Sequence, residues 1–284
     1  KGDISGNTQI HPSKFPGRTI FVREKEYFIR ESYVDGTTPI VFLHSWGSDS
    51  LGSWFKVLPK IKNKNSFIAI DLSNHGKSDS SWKRWDVDEN ADLVISILEK
   101  LDIEECDIVG WSMGSAVGMS VSRKKQSLIR KLVLITPFSW LGGAVYSDKI
   151  AFKVFISFVR IRERLFPNFN PQSKFSFLRK SQSIEDEYTE WAWNNLHRSK
   201  DDFIYGDGGR FVVPYDARPW IHEIHSDTLV ITGGKDKLVP EETSNEVINR
   251  LNTVKSKVIN DAGHSVPWTH ADELLEEINS FLNN

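Results

Sequence analysis

Short apolar runs alternate with amphipathic stretches along most of this chain. Pro39-Ile-Val-Phe-Leu43, Ser66-Phe-Ile-Ala-Ile70, Cys106-Asp-Ile-Val109 and Lys131-Leu-Val-Leu-Ile135 hold few polar residues, a pattern that suits strands covered on both faces. Between them apolar positions return at helical spacing over about 53–61, 88–101 and 113–126, which predicts helices. Residues 19–34 read as the two strands of a hairpin. Strands separated by helices imply βαβ crossovers, so the expected fold class is α/β, a mostly parallel central sheet flanked by helices.

The alternation stops at Pro137 and resumes at Asp227-Thr-Leu-Val-Ile-Thr232. A helix over about 240–251, a last strand at Ser256-Lys-Val-Ile259 and a closing helix through Leu282, capped by Thr269, are predicted after it. The interruption, residues 137–219, is aromatic, helical in pattern and too long for a loop. It is expected to be a helical cap inserted into a core made of 1–136 and 220–284.

Composition narrows the field. The 284 residues fit one large domain, and 39% hydrophobic with 26% charged residues marks a globular chain. A net charge of −2 supplies no field to draw it to nucleic acid or an anionic membrane. Cys106 is the single cysteine, so neither an internal disulfide nor a cysteine-rich metal site is expected. Residues 1–17 are polar, contain Pro12 and Pro16, and lack the charged head and apolar core of a signal peptide. The most apolar stretch, 150–166, is interrupted by Lys153 and Arg160 and falls short of a membrane span. The expected location is a reducing compartment, the cytoplasm.

Gly110-Trp111-Ser112-Met113-Gly114 fits G-x-S-x-G. The letters alone are weak; their position, at the end of an apolar strand and the start of a helix rich in small residues, matches the strained turn that exposes a nucleophilic serine. A serine hydroxyl needs a base within hydrogen-bond reach and a third group to orient that base. Gly233-Gly-Lys-Asp236 follows the resumed strand and Asp261-Ala-Gly-His264 follows the last, in the chain order Ser, Asp, His expected of this topology. The plainer reading of Asp236 is a turn residue. His75, within Asp71-Leu-Ser-Asn-His-Gly-Lys-Ser-Asp79, is expected to pack its loop rather than catalyse. An oxyanion needs two fixed donors; the candidates are the backbone N–H of Met113 and that of Trp46, in His44-Ser-Trp-Gly47.

Together these motifs resemble the α/β-hydrolase superfamily, over about 18–136 and from 227 to the end. Five motifs in order are specific for the superfamily and not for a substrate. Within it the chain is similar to the carboxylesterase branch that includes pimeloyl-carrier-protein methyl esterases, which also carry a tryptophan in the oxyanion loop and in the serine turn. The resemblance implies the α/β-hydrolase fold, Ser112, Asp236 and His264 as a triad, and ester hydrolysis through an acyl-enzyme. It departs at Ser45 and Ser115, where the family has glycine. Ser45 is expected to narrow the acyl pocket or tilt the Trp46 amide. No zinc-type spacing, P-loop or dinucleotide fingerprint is present in the sequence, so no metal and no cofactor is expected.

His44, Ser45, Trp111, Phe138, Trp140, Trp191 and Trp268 are expected to line an apolar pocket for the acyl chain or aryl group of a small ester. Phe152, Phe155, Phe158 and Trp193 add aromatic surface from the cap. Arg160, Arg162, Arg164, Lys174, Arg179 and Lys180 read as a solvated face, or as a docking surface for an acidic carrier protein. The run 150–159 has the apolar character of a lid that meets lipid. Two other function classes remain open: cleavage of a carbon–carbon bond in a vinylogous diketone by the same triad, and a receptor-like binding module with a slow triad. Oligomeric state is not legible.

Overall fold

A computed structural model describes residues 15–81, 85–140, 190–192, 215–239 and 241–284. Strands β1 (Arg18–Val22) and β2 (Lys25–Ser32) form the expected hairpin. β2 runs antiparallel to β4 (Phe67–Ile70). β3 (Ile40–Leu43), β5 (Cys106–Trp111), β6 (Ile129–Ile135), β7 (Asp227–Gly233) and β8 (Val254–Ile259) extend the sheet in parallel, in the spatial order β1-β2-β4-β3-β5-β6-β7-β8.

Successive side chains on a strand point to opposite faces, and this sheet uses both. Val41, Leu43, Ile68, Ile70, Ile108, Leu132 and Leu134 belong to one apolar cluster; Ile40, Phe42, Phe67, Ala69, Val109, Val133 and Ile135 belong to the other. Every residue of β3, β4 and β5 is buried, which is why these segments read as unbroken apolar runs. Helices α3 (Val87–Lys100), α4 (Met113–Lys124) and α5 (Glu241–Arg250) contribute to the first cluster. Helices α1 (Ser50–Trp54), α2 (Leu58–Ile61), α6 (Val266–Thr269) and α7 (Ala271–Leu282) contribute to the second. Helix α3 starts where Asp86 accepts from the backbone N–H of Asp88 and Glu89, and Val87, Ala91, Val94 and Leu98 mark its buried stripe.

Two local expectations need correction. The helix predicted over 53–61 is two short helices, α1 and α2, and it starts earlier, at Ser50, where Asp49 accepts from Gly52 N–H at 2.6 Å. Pro59 forces the break, because it lacks an N–H and its ring tolerates only a first-turn position. Thr269 does not cap the closing helix. It ends the extra turn α6, its hydroxyl lying 3.1 Å from Ser265 O, and His270 takes the cap position of α7 with no side-chain bond to the first N–H groups of that helix. Pro267, early in α6, pre-sets the backbone for that extra turn.

Most of the expected cap, 141–189 and 193–214, lies outside the described residues. With it lie Phe152, Phe155, Phe158, Trp193, the basic residues from Arg160 to Lys180 and the run 150–159. Its two ends meet: Trp140 and Asp216 form an antiparallel bridge, and Ala217 N–H donates to Ser139 O at 2.7 Å. Both ends are tied to α5, the first through Ser139 to Glu246 and Ser244 to Pro137 O, the second through Arg250 to Arg218 O at 3.4 Å. No described helix is long and apolar enough to cross a membrane.

Candidate active site

The carboxyl ends of β5, β7 and β8 carry the three residues singled out by the sequence. At β5 the chain turns sharply into α4, and Ser112 sits on the turn with φ +53° and ψ −112°. A non-glycine residue there stores roughly 1–3 kcal/mol of strain and persists only where its surroundings enforce it. Two neighbours do so. Ser112 N–H donates to Ile135 O of β6 at 2.8 Å. The buried Ser115 hydroxyl lies 2.8 Å from Gly110 O and 3.1 Å from the same Ile135 O, pinning the start of α4 to both strands. The tethering role of Ser115 escaped the sequence reading. Gly114 is required by contact: a Cβ on it would lie 2.2 Å from Leu43 O and 2.9 Å from His44 O. The serine turn therefore abuts the loop after β3.

The loops after β7 and β8 touch just as closely. A Cβ on Gly233 would lie 2.3 Å from Gly263 O, and Lys235 N–H donates to Ala262 O at 2.9 Å. This contact sets Asp236 beside His264. Asp236 Oδ1 accepts from Leu238 N–H at 2.8 Å and Val239 N–H at 3.0 Å, while Oδ2 lies 2.8 Å from His264 Nδ1. A carboxylate only accepts, so Nδ1 carries the proton and donates it to Oδ2. The Asp236 side chain is 2% exposed, so this bond is shielded from competing water. His264 is held to the serine turn by its backbone: Trp111 Nε1–H donates to His264 O at 3.0 Å, and the two rings lie 5.9 Å apart. Ser112 Oγ makes no hydrogen bond to a described residue, and such catalytic contacts are often long before substrate binds.

Met113 is the first residue of α4, so its N–H has no acceptor within the helix and lies at the positive end of the helix dipole. Across from it, the loop after β3 is held by buried polar contacts. Leu72 N–H donates to His44 Nε2 at 2.9 Å, which leaves the proton of that ring on Nδ1, donated to Ser45 O at 2.8 Å. Ser45 N–H donates to Ser53 Oγ at 3.2 Å, and the two hydroxyl oxygens lie 3.5 Å apart. Under the loop, Arg30 reaches Ser50 Oγ at 2.5 Å and Asp71 Oδ1 at 3.4 Å, and Asp71 also accepts from Ser50 N–H and Lys77 N–H. Arg30 was missed by the sequence reading; its signal is a charged residue directly after the apolar run Tyr27-Phe28-Ile29 in the same strand.

Burial removes two histidines from acid–base work near neutral pH. His44 is pushed down to about 4, chiefly by desolvation, and His75 to about 3 by desolvation and then by His44. His75 packs its loop as expected.

The residues expected from the sequence to line a pocket are placed as follows. His44 is fully buried with both ring nitrogens engaged, and Ser45 is turned toward Ser53. Trp111 and Trp268 are buried behind the serine turn, 5.9 Å apart, with Trp268 Nε1–H donating to Gly52 O. Phe138 packs edge-on against Tyr215 at 5.5 Å. Trp140 is covered by the Arg218 guanidinium at 3.8 Å, and Trp191 meets Phe55 at 6.0 Å. Among the described residues no group of three or more His, Cys, Asp or Glu side chains gathers as a metal site.

A family model described as the alpha/beta hydrolase fold matches residues 38–271. The chain is 28% identical over 255 residues to the dihydrolipoyllysine-residue acetyltransferase component of the acetoin cleaving system of Pseudomonas putida, matching 87% of this chain and spanning 64% of that protein's length. It is 24% identical over 251 residues to the 2-hydroxy-6-oxo-6-(2'-aminophenyl)hexa-2,4-dienoic acid hydrolase of Metapseudomonas resinovorans, covering 86% of this chain and 84% of the relative. Among solved structures, an esterase from Exiguobacterium antarcticum superposes with a TM-score of 0.81 at 18% identity, covering 95% of this chain and all of that one, a likeness of fold.

Proposed function

The chain belongs to the alpha/beta hydrolase fold family, and from that premise we propose that it is a serine hydrolase that cleaves carboxylic esters through an acyl-enzyme. Ser112 Oγ attacks the ester carbonyl as His264 takes its proton. The same imidazole then protonates the leaving alcohol and activates the water that releases the acid. Asp236 holds the ring in the tautomer whose Nε2 is free to accept, and stabilises the imidazolium once it forms. The amides of Met113 and Trp46 receive the oxyanion.

The observation that carries this reading is the shielded Asp236–His264 bond at 2.8 Å beside the strained turn of Ser112. An aspartate that served only its turn would need the two N–H contacts of Oδ1 and no histidine. The carbon–carbon bond hydrolase reading is the rival, supported by the Metapseudomonas relative. The substrate is a small molecule in either reading. Docking of an acidic carrier protein, an apolar acyl pocket and a cytoplasmic location remain part of the proposal.

The test is pre-steady-state hydrolysis of p-nitrophenyl esters of increasing acyl length, with a vinylogous diketone alongside. A burst equal to the enzyme concentration is expected with esters. Ser112→Ala should abolish it, lowering kcat by at least about 10⁴-fold while the thermal unfolding curve stays in place. Turnover of the diketone alone would transfer the assignment to the rival. A Ser112→Ala protein with full activity would end both.

A further inference from the structure

In the spatial order of the sheet, β6 and β7 stand between β5, which ends at the turn of Ser112, and β8, which leads to His264. Adjacent strands lie about 4.8 Å apart, so the segment that carries the base leaves its strand roughly 14 Å from that of the nucleophile and must be drawn back across the rim. Directed contacts do this in stages. At β7, Ala262 O accepts from Lys235 N–H at 2.9 Å, and Gly233 passes Gly263 too closely to carry a side chain. At β5, His264 O accepts from Trp111 Nε1–H at 3.0 Å, a bond between residues 153 positions apart. Asp236 orients the imidazole, and Trp111 holds the backbone that carries it.

Trp111 is fixed with respect to the nucleophile. It is the last residue of β5, pairs in register with Ile135 of β6 and directly precedes Ser112. Its indole is buried, with Trp54 edge-on at 6.3 Å and Trp268 edge-on at 5.9 Å. Trp268, which follows His264 closely in α6, anchors the far end of the same segment: its Nε1–H donates to Gly52 O of α1 at 2.9 Å. Two indole N–H groups therefore pin the base segment, one to the serine turn and one to α1. Filling the space does not by itself require such bonds, since the neighbouring Trp54 packs with its buried Nε1 unpartnered among the described residues.

We propose that Trp111 is a positioning residue of the hydrolytic reaction: its indole N–H, through His264 O, sets how far the imidazole stands from Ser112 Oγ. The inference rests on the serine-hydrolase reading above. It gives Trp111 no proton to transfer; the effect passes through His264. Two substitutions separate the donor from the ring. Trp111→Phe keeps a buried aromatic ring and removes the N–H. Trp111→His keeps a ring N–H, at Nε2, as many bonds from the backbone as the indole nitrogen, and removes the six-membered ring.

Stopped-flow hydrolysis of p-nitrophenyl acetate, whose two-carbon acyl group makes little demand on an acyl pocket, reads the burst amplitude, the burst rate constant and the steady-state rate that follows. A misplacement of about 1 Å can cost about 10² in rate. Trp111→Phe is expected to slow burst and steady state together about tenfold, because His264 serves both acylation and deacylation, with the amplitude still equal to the concentration of enzyme. A role in folding alone would lower the amplitude and leave the rate constants in place. Trp111→His should keep both rates within threefold of the wild type. In a His264→Ala background, Trp111→Phe should change the residual rate less than twofold. Circular dichroism at the assay temperature confines the comparison to folded protein; if Trp111→Phe does not fold, Trp111→Met takes its place as the variant without a donor. Unchanged rate constants in a folded donor-free variant, equal losses in both Trp111 variants, or the full tenfold loss in the absence of His264 overturns the proposal. A wild type without a burst overturns the hydrolase reading and this inference with it.

Discussion

A buried histidine is a pH-sensitive element whether or not it catalyses. His44 and His75 are held neutral by burial, with folded values of about 4 and about 3 against an ordinary 6.5. As pH falls the unfolded chain takes up protons first, so their contribution is complete above pH 6.5 and is lost progressively below it, down to about pH 4 for His44 and about 3 for His75. At pH 5 each should have withdrawn about 2 kcal/mol. Asp49, raised by burial and by Asp71, works in the opposite direction. Urea unfolding at pH 7 and pH 5 should register the loss, and His75→Phe should remove about half of it; an unchanged pH dependence in that variant would contradict the assignment. The packing role of His75 was legible in the chain, because a histidine between Asn74 and Gly76 after a buried strand has a loop to fill. Arg30 was not, since the groups that bond it, the Ser50 hydroxyl and the Asp71 carboxylate, lie 20 and 41 residues away.

At the scale of elements, the strands and long helices were legible because burial on two faces and on one stripe leaves different spacings in the sequence. The short helices α1, α2 and α6 carry too few residues for a period to register, and each depends on what it packs against: Trp54 of α1 lies edge-on to Phe42 and Trp111. The turn from β5 into α4 combines both cases. Its glycines and serine were visible, but the fastening of α4 to β6 by the Ser115 hydroxyl requires knowing that the ends of β5 and β6 are neighbours. Ser115→Ala removes a buried hydroxyl contact and should lower stability by about 1 kcal/mol. Ser115→Gly should cost a further 0.5–1 kcal/mol or so, because glycine also loosens the helix. Chemical denaturation of the two variants checks the order; a glycine variant as stable as the wild type would show that the hydroxyl fastens nothing.

Across the whole molecule the two rims of the sheet divide the work. The carboxyl rim holds strained backbone and the proposed chemistry, whereas the amino rim holds Asp107, whose side chain is 1% exposed and which bonds the Arg130 guanidinium through both oxygens. Burial pushes the Asp107 carboxyl up while Arg130 pulls it down. Arg130→Ala leaves that buried carboxylate with Lys131 as its remaining partner, and should cost about 2 kcal/mol, less than a fully buried pair because Arg130 is partly exposed. Thermal unfolding reads the cost, and kcat toward an ester should not change; a fall in kcat with the fold intact would mean that the rims are coupled. By itself the sequence determined the order of strands and helices, the identity of the three reactive candidates and the family, because each rests on residue type and on spacing within about twenty positions. Only the tertiary structure decided that Ser115 fastens α4 to β6, that Ser45 turns toward Ser53, and that His264 meets Asp236. Those outcomes depend on which loops touch across the rim, and contact between residues far apart in the chain is set by packing of the whole sheet, not by any local pattern.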